Sequence, residues 1–212
     1  MLAATTDSGR PPVDRMTGVP LNLRQRNRMA AIRAVQDTAM NLFDAQGYHN
    51  VTIEDICREA GVSPSTFYRY FVTKEGLFTV DPFAAVGADG FREVLDLDDL
   101  PGTMERLAAS AGPGGPWRGM RYVLEEPTVR AAVYATMDAM AGRLAAALAD
   151  RGHDAIQARV LARTYLFGVY FGALEQWHSD GRTRPIGEYA RAALDAIETR
   201  AGAAGRQPGA AD

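Results

Sequence analysis

Apolar side chains recur every three or four residues between Met29 and Phe43, at Met29, Ile32, Val35, Ala39, Met40 and Phe43. That spacing returns each of them to one side of a helix. A first helix is therefore predicted from near Leu23 up to Gly47, a natural helix stop. A second begins at Thr52, whose hydroxyl can accept an orphan backbone N–H while Glu54 and Asp55 suit the first turn. It is short and ends at Gly61. Ser63 then caps a third helix with Pro64 at its first position, where a missing N–H costs nothing. Lys74 opens a fourth, kinked or broken by Pro82 and the glycines at 87 and 90.

The pattern continues as long helices between breakers, at about 102–111, 116–125, 127–150, 154–179 and 186–201. No strand alternation and no internal repeat interrupts it, so the expected fold is all-α. Residues 1–20 and 203–212 lack periodicity and are expected to be disordered tails. The boundary between two domains is placed at 73/74, giving 21–73 and 74–202.

Composition agrees with helix: Ala and Leu dominate the apolar residues, and both enter helices at little cost. The single cysteine, Cys57, excludes an intramolecular disulfide and fits a reducing, cytoplasmic compartment. No apolar segment reaches membrane-spanning length, the longest run being residues 165–174. The net charge of −3 looks unfavourable for nucleic acid, but it is unevenly spread. Residues 1–80 carry +1 and residues 81–212 carry −4. Binding needs only a local basic surface.

Two short helices, 52–60 and 64–71, joined by a tight glycine-containing turn form a helix-turn-helix. The second helix of such a unit lies in the major groove. This accounts for the crowding in AGVSPSTFYRYF. Ser65 and Thr66 reach base edges or phosphates, Tyr68 and Tyr70 offer hydroxyls to phosphates, and Arg69 can pair with guanine. Ile53, Ile56, Val62, Phe67 and Phe71 form the inner face. The competing reading is a plain helical hairpin with core aromatics.

The stretch TIEDICREAGVSPSTFYRYFVTKEGL, residues 52–77, resembles the DNA-binding signature of the tetracycline-repressor (TetR) family. The match includes Thr52, Ile56, Ala60 to Ser63, Phe67, Tyr68, Tyr70, Phe71, Lys74, Glu75 and Leu77; Cys57 stands where a small Ala is usual. The resemblance implies an all-helical homodimer, usually a repressor released from a palindromic operator on duplex DNA by a small apolar effector. By position it implies phosphate contacts for Tyr68, Tyr70 and Lys74, and groove-facing places for Ser65, Thr66 and Arg69. Arg24, Arg26 and Arg28 match a basic lead-in, and the caps Thr52 and Ser63 complete the DNA-binding set. An activator of the same fold is the alternative.

In the second half, Trp117, Met120, Tyr134, Met137, Met140, Tyr165, Phe167, Tyr170 and Phe171 are candidates to line an effector cavity, or simply to form core. Helices 154–179 and 186–201 are the expected dimer surface. Gly168 and Gly172 are four apart, and Ile186, Tyr189, Ala193 and Ile197 form a stripe. Glu175 and His178 stand at i and i+3, as in helical di-iron enzymes, but such a site needs two such pairs and two further Glu, and the only other His residues are His49, in a turn, and His153, beside Gly152. No metal, no cofactor and no enzymatic activity are expected.

Overall fold

The computed structural model describes residues 22–79, 96–110 and 116–204, with the side chains of 104, 107–110, 116, 117 and 198–204 outside the description. The expected tail at 1–20, the break at 82–90 and the Trp117 side chain lie outside the described residues, as does the expected tail at 203–212 except for residues 203 and 204, which are helical. Those residues are helical throughout, without a strand.

Helix α1 spans Leu23–Gln46 and stops at Gly47. Its start carries a reciprocal capping box, the Asn22 side chain taking the Gln25 N–H at 2.9 Å and the Gln25 side chain taking the Asn22 N–H at 2.9 Å. A 3-10 turn, Tyr48–Asn50, leads to α2, Ile53–Ala60. Gly61 adopts a left-handed φ of 66° that reverses the chain. Helix α3, Pro64–Phe71, follows, and then a 3-10 turn, Glu75–Phe78, where a fourth helix was expected to open.

The second half contains α4, Leu100–Ser110, a 3-10 turn, Pro116–Gly119, then α5, Met120–Glu125, and α6, Pro127–Ala149. The expected 154–179 helix is present but not uniform. It runs as α7, Ala155–Arg163, a π-helical segment, Thr164–Phe171, and α8, Gly172–Ser179. Helix α9, Ile186–Ala204, extends three residues past its expected end. Helix α6 packs along α7, while α9 packs on α8 and α4.

One buried apolar cluster joins both halves. At the junction Phe43, Tyr48, Phe78 and Tyr122 pack ring against ring with centroids 5.0–6.1 Å apart. Asp44 on α1 gathers three groups from the second half. Arg118 donates twice to its Oδ2, at 2.9 and 2.6 Å, Tyr122 donates to Oδ1 at 2.7 Å, and Arg121 Nη2 lies 3.5 Å from Oδ1. Burial is the largest influence on this carboxyl and pushes it up. The bonds from Tyr122 and Arg118 and the two guanidinium charges outweigh it and hold the carboxyl below its usual range. Tyr122 responds in the opposite sense, pushed up to about 12 by burial and by Asp44.

Candidate nucleic-acid interface

Caps set the geometry of the two short helices. Thr52 Oγ1 accepts the Asp55 N–H at 3.1 Å, and Asp55 in return accepts from the Thr52 N–H at 3.0 Å and its hydroxyl at 2.6 Å. These bonds, Thr52's hydroxyl foremost, and the ion pair with Arg58 bring the Asp55 carboxyl down to about 2. Ser63 Oγ accepts the Thr66 N–H at 3.2 Å and lies 2.9 Å from Ser65 Oγ and 3.0 Å from Thr66 Oγ1. The hydroxyls expected at the DNA surface are thus held in one cluster at the start of α3.

Ile56, Phe67 and Phe71 are buried, whereas Ser65, Tyr68 and Arg69 are exposed. The buried and exposed sets lie on opposite faces, so α3 offers a polar, cationic face to solvent. Tyr70 is half-buried, and two guanidiniums lie over its ring. Arg69 Cζ is 4.8 Å and Arg28 Cζ 5.8 Å from the centroid. Arg69 Nη2 also donates to the Tyr70 hydroxyl at 3.2 Å. The structure therefore brings Arg28, from the lead-in, beside the third helix. Arg24 is exposed, and Arg26 is half-buried with its Nε buried and unbonded.

In the structure the Lys74 ammonium is turned inward. Nζ donates inward to the carbonyls of Tyr48 at 2.6 Å and Val51 at 2.9 Å, and lies 4.0 Å from the Tyr48 ring centroid. Burial lowers its pKa, against the opposing pull of Glu75 and Glu126. Two carbonyls and a ring face occupy its three donors, so the geometry makes it a clamp between the α1–α2 connection and the chain after α3.

Two features of that chain were not foreseen. Val72 sits at φ 62°, ψ −46°, and the Thr73 N–H donates to the Phe71 carbonyl at 2.6 Å. This is the rarer, strained γ-turn, costing a β-branched residue on the order of 1–3 kcal/mol. The available signal was a helix ending at Phe71 with no Gly or Asn after it. Thr73 Oγ1 next accepts the Gly76 N–H at 3.1 Å. A Cβ on Gly76 would lie 1.7 Å from the Phe71 carbonyl oxygen, so only glycine lets this segment close onto α3.

In the second half, Met120, Met137, Met140 and Phe171 are buried core. Tyr134, 39% exposed, stands edge-on to Phe167 and Phe171, with centroids at 6.0 and 5.3 Å. Tyr165, Phe167 and Tyr170 are half-buried in the π segment, and burial alone pushes the Tyr170 hydroxyl up to about 12. Of the expected dimer residues, Ile186 and Tyr189 are buried within the protomer, Ala193 and Ile197 are half-buried, and Gly168 is exposed beside a half-buried Gly172. Apolar groups do stand out on α7, at Ile156 and Val160, 76% and 56% exposed. His178 lies with its Nδ1 buried and unbonded, and no group of three potential ligands able to hold a metal occurs among the described residues. No described helix is long and apolar enough to cross a membrane.

A capped two-helix unit with a glycine reversal and a cationic outer face defines a helix-turn-helix DNA-binding protein. Residues 36–79 match the family described as "Bacterial regulatory proteins, tetR family". Over 169 residues the chain is 30% identical to the HTH-type transcriptional regulator TcmR of Streptomyces glaucescens, covering 71% of this chain and 72% of that one. Over 72 residues it is 33% identical to the HTH-type transcriptional regulator EthR of Mycolicibacterium smegmatis, covering 33% and 32%. Among solved structures it is similar to the fatty acid degradation regulator FadR from Bacillus halodurans, with 17% identity, a TM-score of 0.49, and coverage of 77% and 92%. The chain belongs to the tetR family. It is a DNA-binding transcriptional regulator, not an enzyme.

Proposed function

We propose that the protein is a cytoplasmic, homodimeric repressor that binds a palindromic operator through α3 and leaves it when a small apolar effector enters the second half. The observation that carries this reading is the exposed face of α3, where Ser65, Tyr68 and Arg69 stand opposite the buried Phe67 and Phe71. In this reading Ser65, Thr66 and Arg69 meet base edges. Tyr68, Tyr70 and Arg28 meet phosphates, with Arg24 and Arg26 adding backbone attraction. Thr52 and Ser63 contribute by holding helix starts toward the duplex.

For the dimer, Ile156, Val160 and Gly168 supply apolar and close-approach positions free of the protomer's own core. The half-buried aromatics of the π segment, with Tyr134, are the best candidates to border the effector. Ligand and operator must then antagonise each other reciprocally. Selection of bound duplexes from a random pool tests the reading. The expected product is an inverted repeat whose half-sites lie one helical turn, about 34–36 Å, or a multiple apart. Recovery of no common sequence, or only of direct repeats bound by monomer, would overturn it. Placing the recovered site over a reporter promoter separates repressor from activator.

A further inference from the structure

We infer that Tyr70 is a positioning residue for Arg69. Its ring and hydroxyl fix the guanidinium before DNA arrives, so what Arg69 adds to operator binding depends on Tyr70. This rests on α3 being the recognition helix. Adjacent residues of a helix do not face each other. The Arg69 side chain nevertheless turns toward its neighbour and meets it twice. Its Cζ lies 4.8 Å from the Tyr70 ring centroid, and its Nη2 donates to the hydroxyl at 3.2 Å.

The ring is a firm support. It is half-buried, packs on the apolar cluster and stands edge-on to the buried Phe71, with centroids 6.3 Å apart. Tyrosine is fixed by its side-chain torsions near the backbone, whereas a free arginine samples many rotamers. Arg28, reaching from α1, lies over the same ring at 5.8 Å, so guanidiniums from both helices converge on one phenol. Neither pairs with a carboxylate among the described residues. Like charges gathered without a counter-charge point to a negative partner from outside, and duplex DNA offers one at phosphates and guanine edges alike. The direction of the hydrogen bond matters as well. Arg69 is the donor, so the phenol serves it as acceptor and keeps its own hydrogen for a phosphate. Arg69 spends a single N–H on that bond and keeps the others for DNA.

The test uses the full chain and the duplex it selects from a random pool. Affinity is measured for Tyr70→Phe, which keeps the ring, and Tyr70→Leu, which removes it, each alone and combined with Arg69→Ala. With Arg69 present, Tyr70→Leu should bind about three- to tenfold more weakly per subunit than Tyr70→Phe, the cost of ordering one long side chain on binding. Combined with Arg69→Ala the two should bind equally, because both then lack only the phenol's own phosphate bond. Tyr70→Phe should itself cost about threefold more in the wild type than in Arg69→Ala, a comparison that stands even if Tyr70→Leu fails to fold. Equal costs with and without Arg69 would overturn the inference and leave Tyr70 as support for α3 alone. On single-base variants of the duplex, Tyr70→Leu should relax preference at the same base pair as Arg69→Ala. Coupling spread evenly over all variants would keep the inference and move Arg69 from a base edge to a phosphate. If no duplex is selected, the recognition-helix reading fails and this inference fails with it.

Discussion

In residues 22–79 each α-helix starts at a side chain that bonds its own first turn: Asn22, Thr52 and Ser63. Of the helices that start at Met120, Pro127 and Ala155, only the last does so, through Asp154, which takes the Ile156 and Gln157 N–H groups. The first half also contains the clamp of Lys74 and the turn at Val72, both closed by main-chain atoms. The second half is held more by packing of long helices. A unit fixed by local bonds keeps its binding face in one shape with or without a partner. A packed bundle can shift its helices at smaller cost, which is what a ligand-responsive region requires.

The largest test of that contrast is a pair of glycines. Gly76→Ala drives a Cβ into a main-chain oxygen and should destabilise the fold by about 3 kcal/mol or more in denaturant unfolding. Gly142→Ala meets nothing within 4 Å on α6 and should stabilise by about 0.5–1 kcal/mol. Equal losses at both sites would break the comparison.

Asp44→Ala probes the seam between the halves. Tyr122, 2% exposed, would lose its carboxylate partner, and stability should fall by about 1–3 kcal/mol. Adding Tyr122→Phe should recover much of that loss; a double variant equal to the sum of the single ones would show that the two residues act separately.

The cap of α2 gives a smaller, pH-dependent effect. Asp55 titrates near 2 in the folded chain against an ordinary value of 3.8. A depressed folded pKa stabilises above the unfolded value and is lost as pH falls through the folded one. Asp55→Asn should therefore lower Tm above about pH 5, and the two melting curves should converge toward pH 2. A gap that persists at pH 2 would assign the effect to something other than this carboxylate.

The smallest expected change is in salt dependence. Lys74→Ala should shift the slope of log affinity against log salt by well under the ~0.9 per subunit that a lost phosphate contact produces. A full shift would mean that the ammonium leaves the Tyr48 and Val51 carbonyls when DNA binds.

What could be read beforehand follows the same division. Thr52, Gly61, Ser63 and Pro64 are local signals whose chemistry acts within four residues, and they gave α2 and α3 their observed bounds. The alternation of Phe67 and Phe71 with Tyr68 and Arg69 likewise separated the inner from the outer face. The inward bonds of Lys74 were not legible because its partners lie 23 and 26 residues away, a pairing that no local pattern announces. Asp44 was missed for the same reason, its partners being 74 to 78 residues distant. Ile186 and Tyr189 showed an apolar stripe, but a stripe does not say whether it faces its own protomer or a second one.

The π segment at Thr164–Phe171 carries a consequence for length variation. A helix read at 3.6 residues per turn cannot gain or lose one residue without rotating everything beyond it by about 100°. A wide turn is where such a change of phase has been absorbed. One residue removed there would let the helix tighten to ordinary pitch while the Trp177–His178 end and the Ile156 end kept their facing. The segment is thus the point at which this long rod could change length by one residue and leave both ends packed as before.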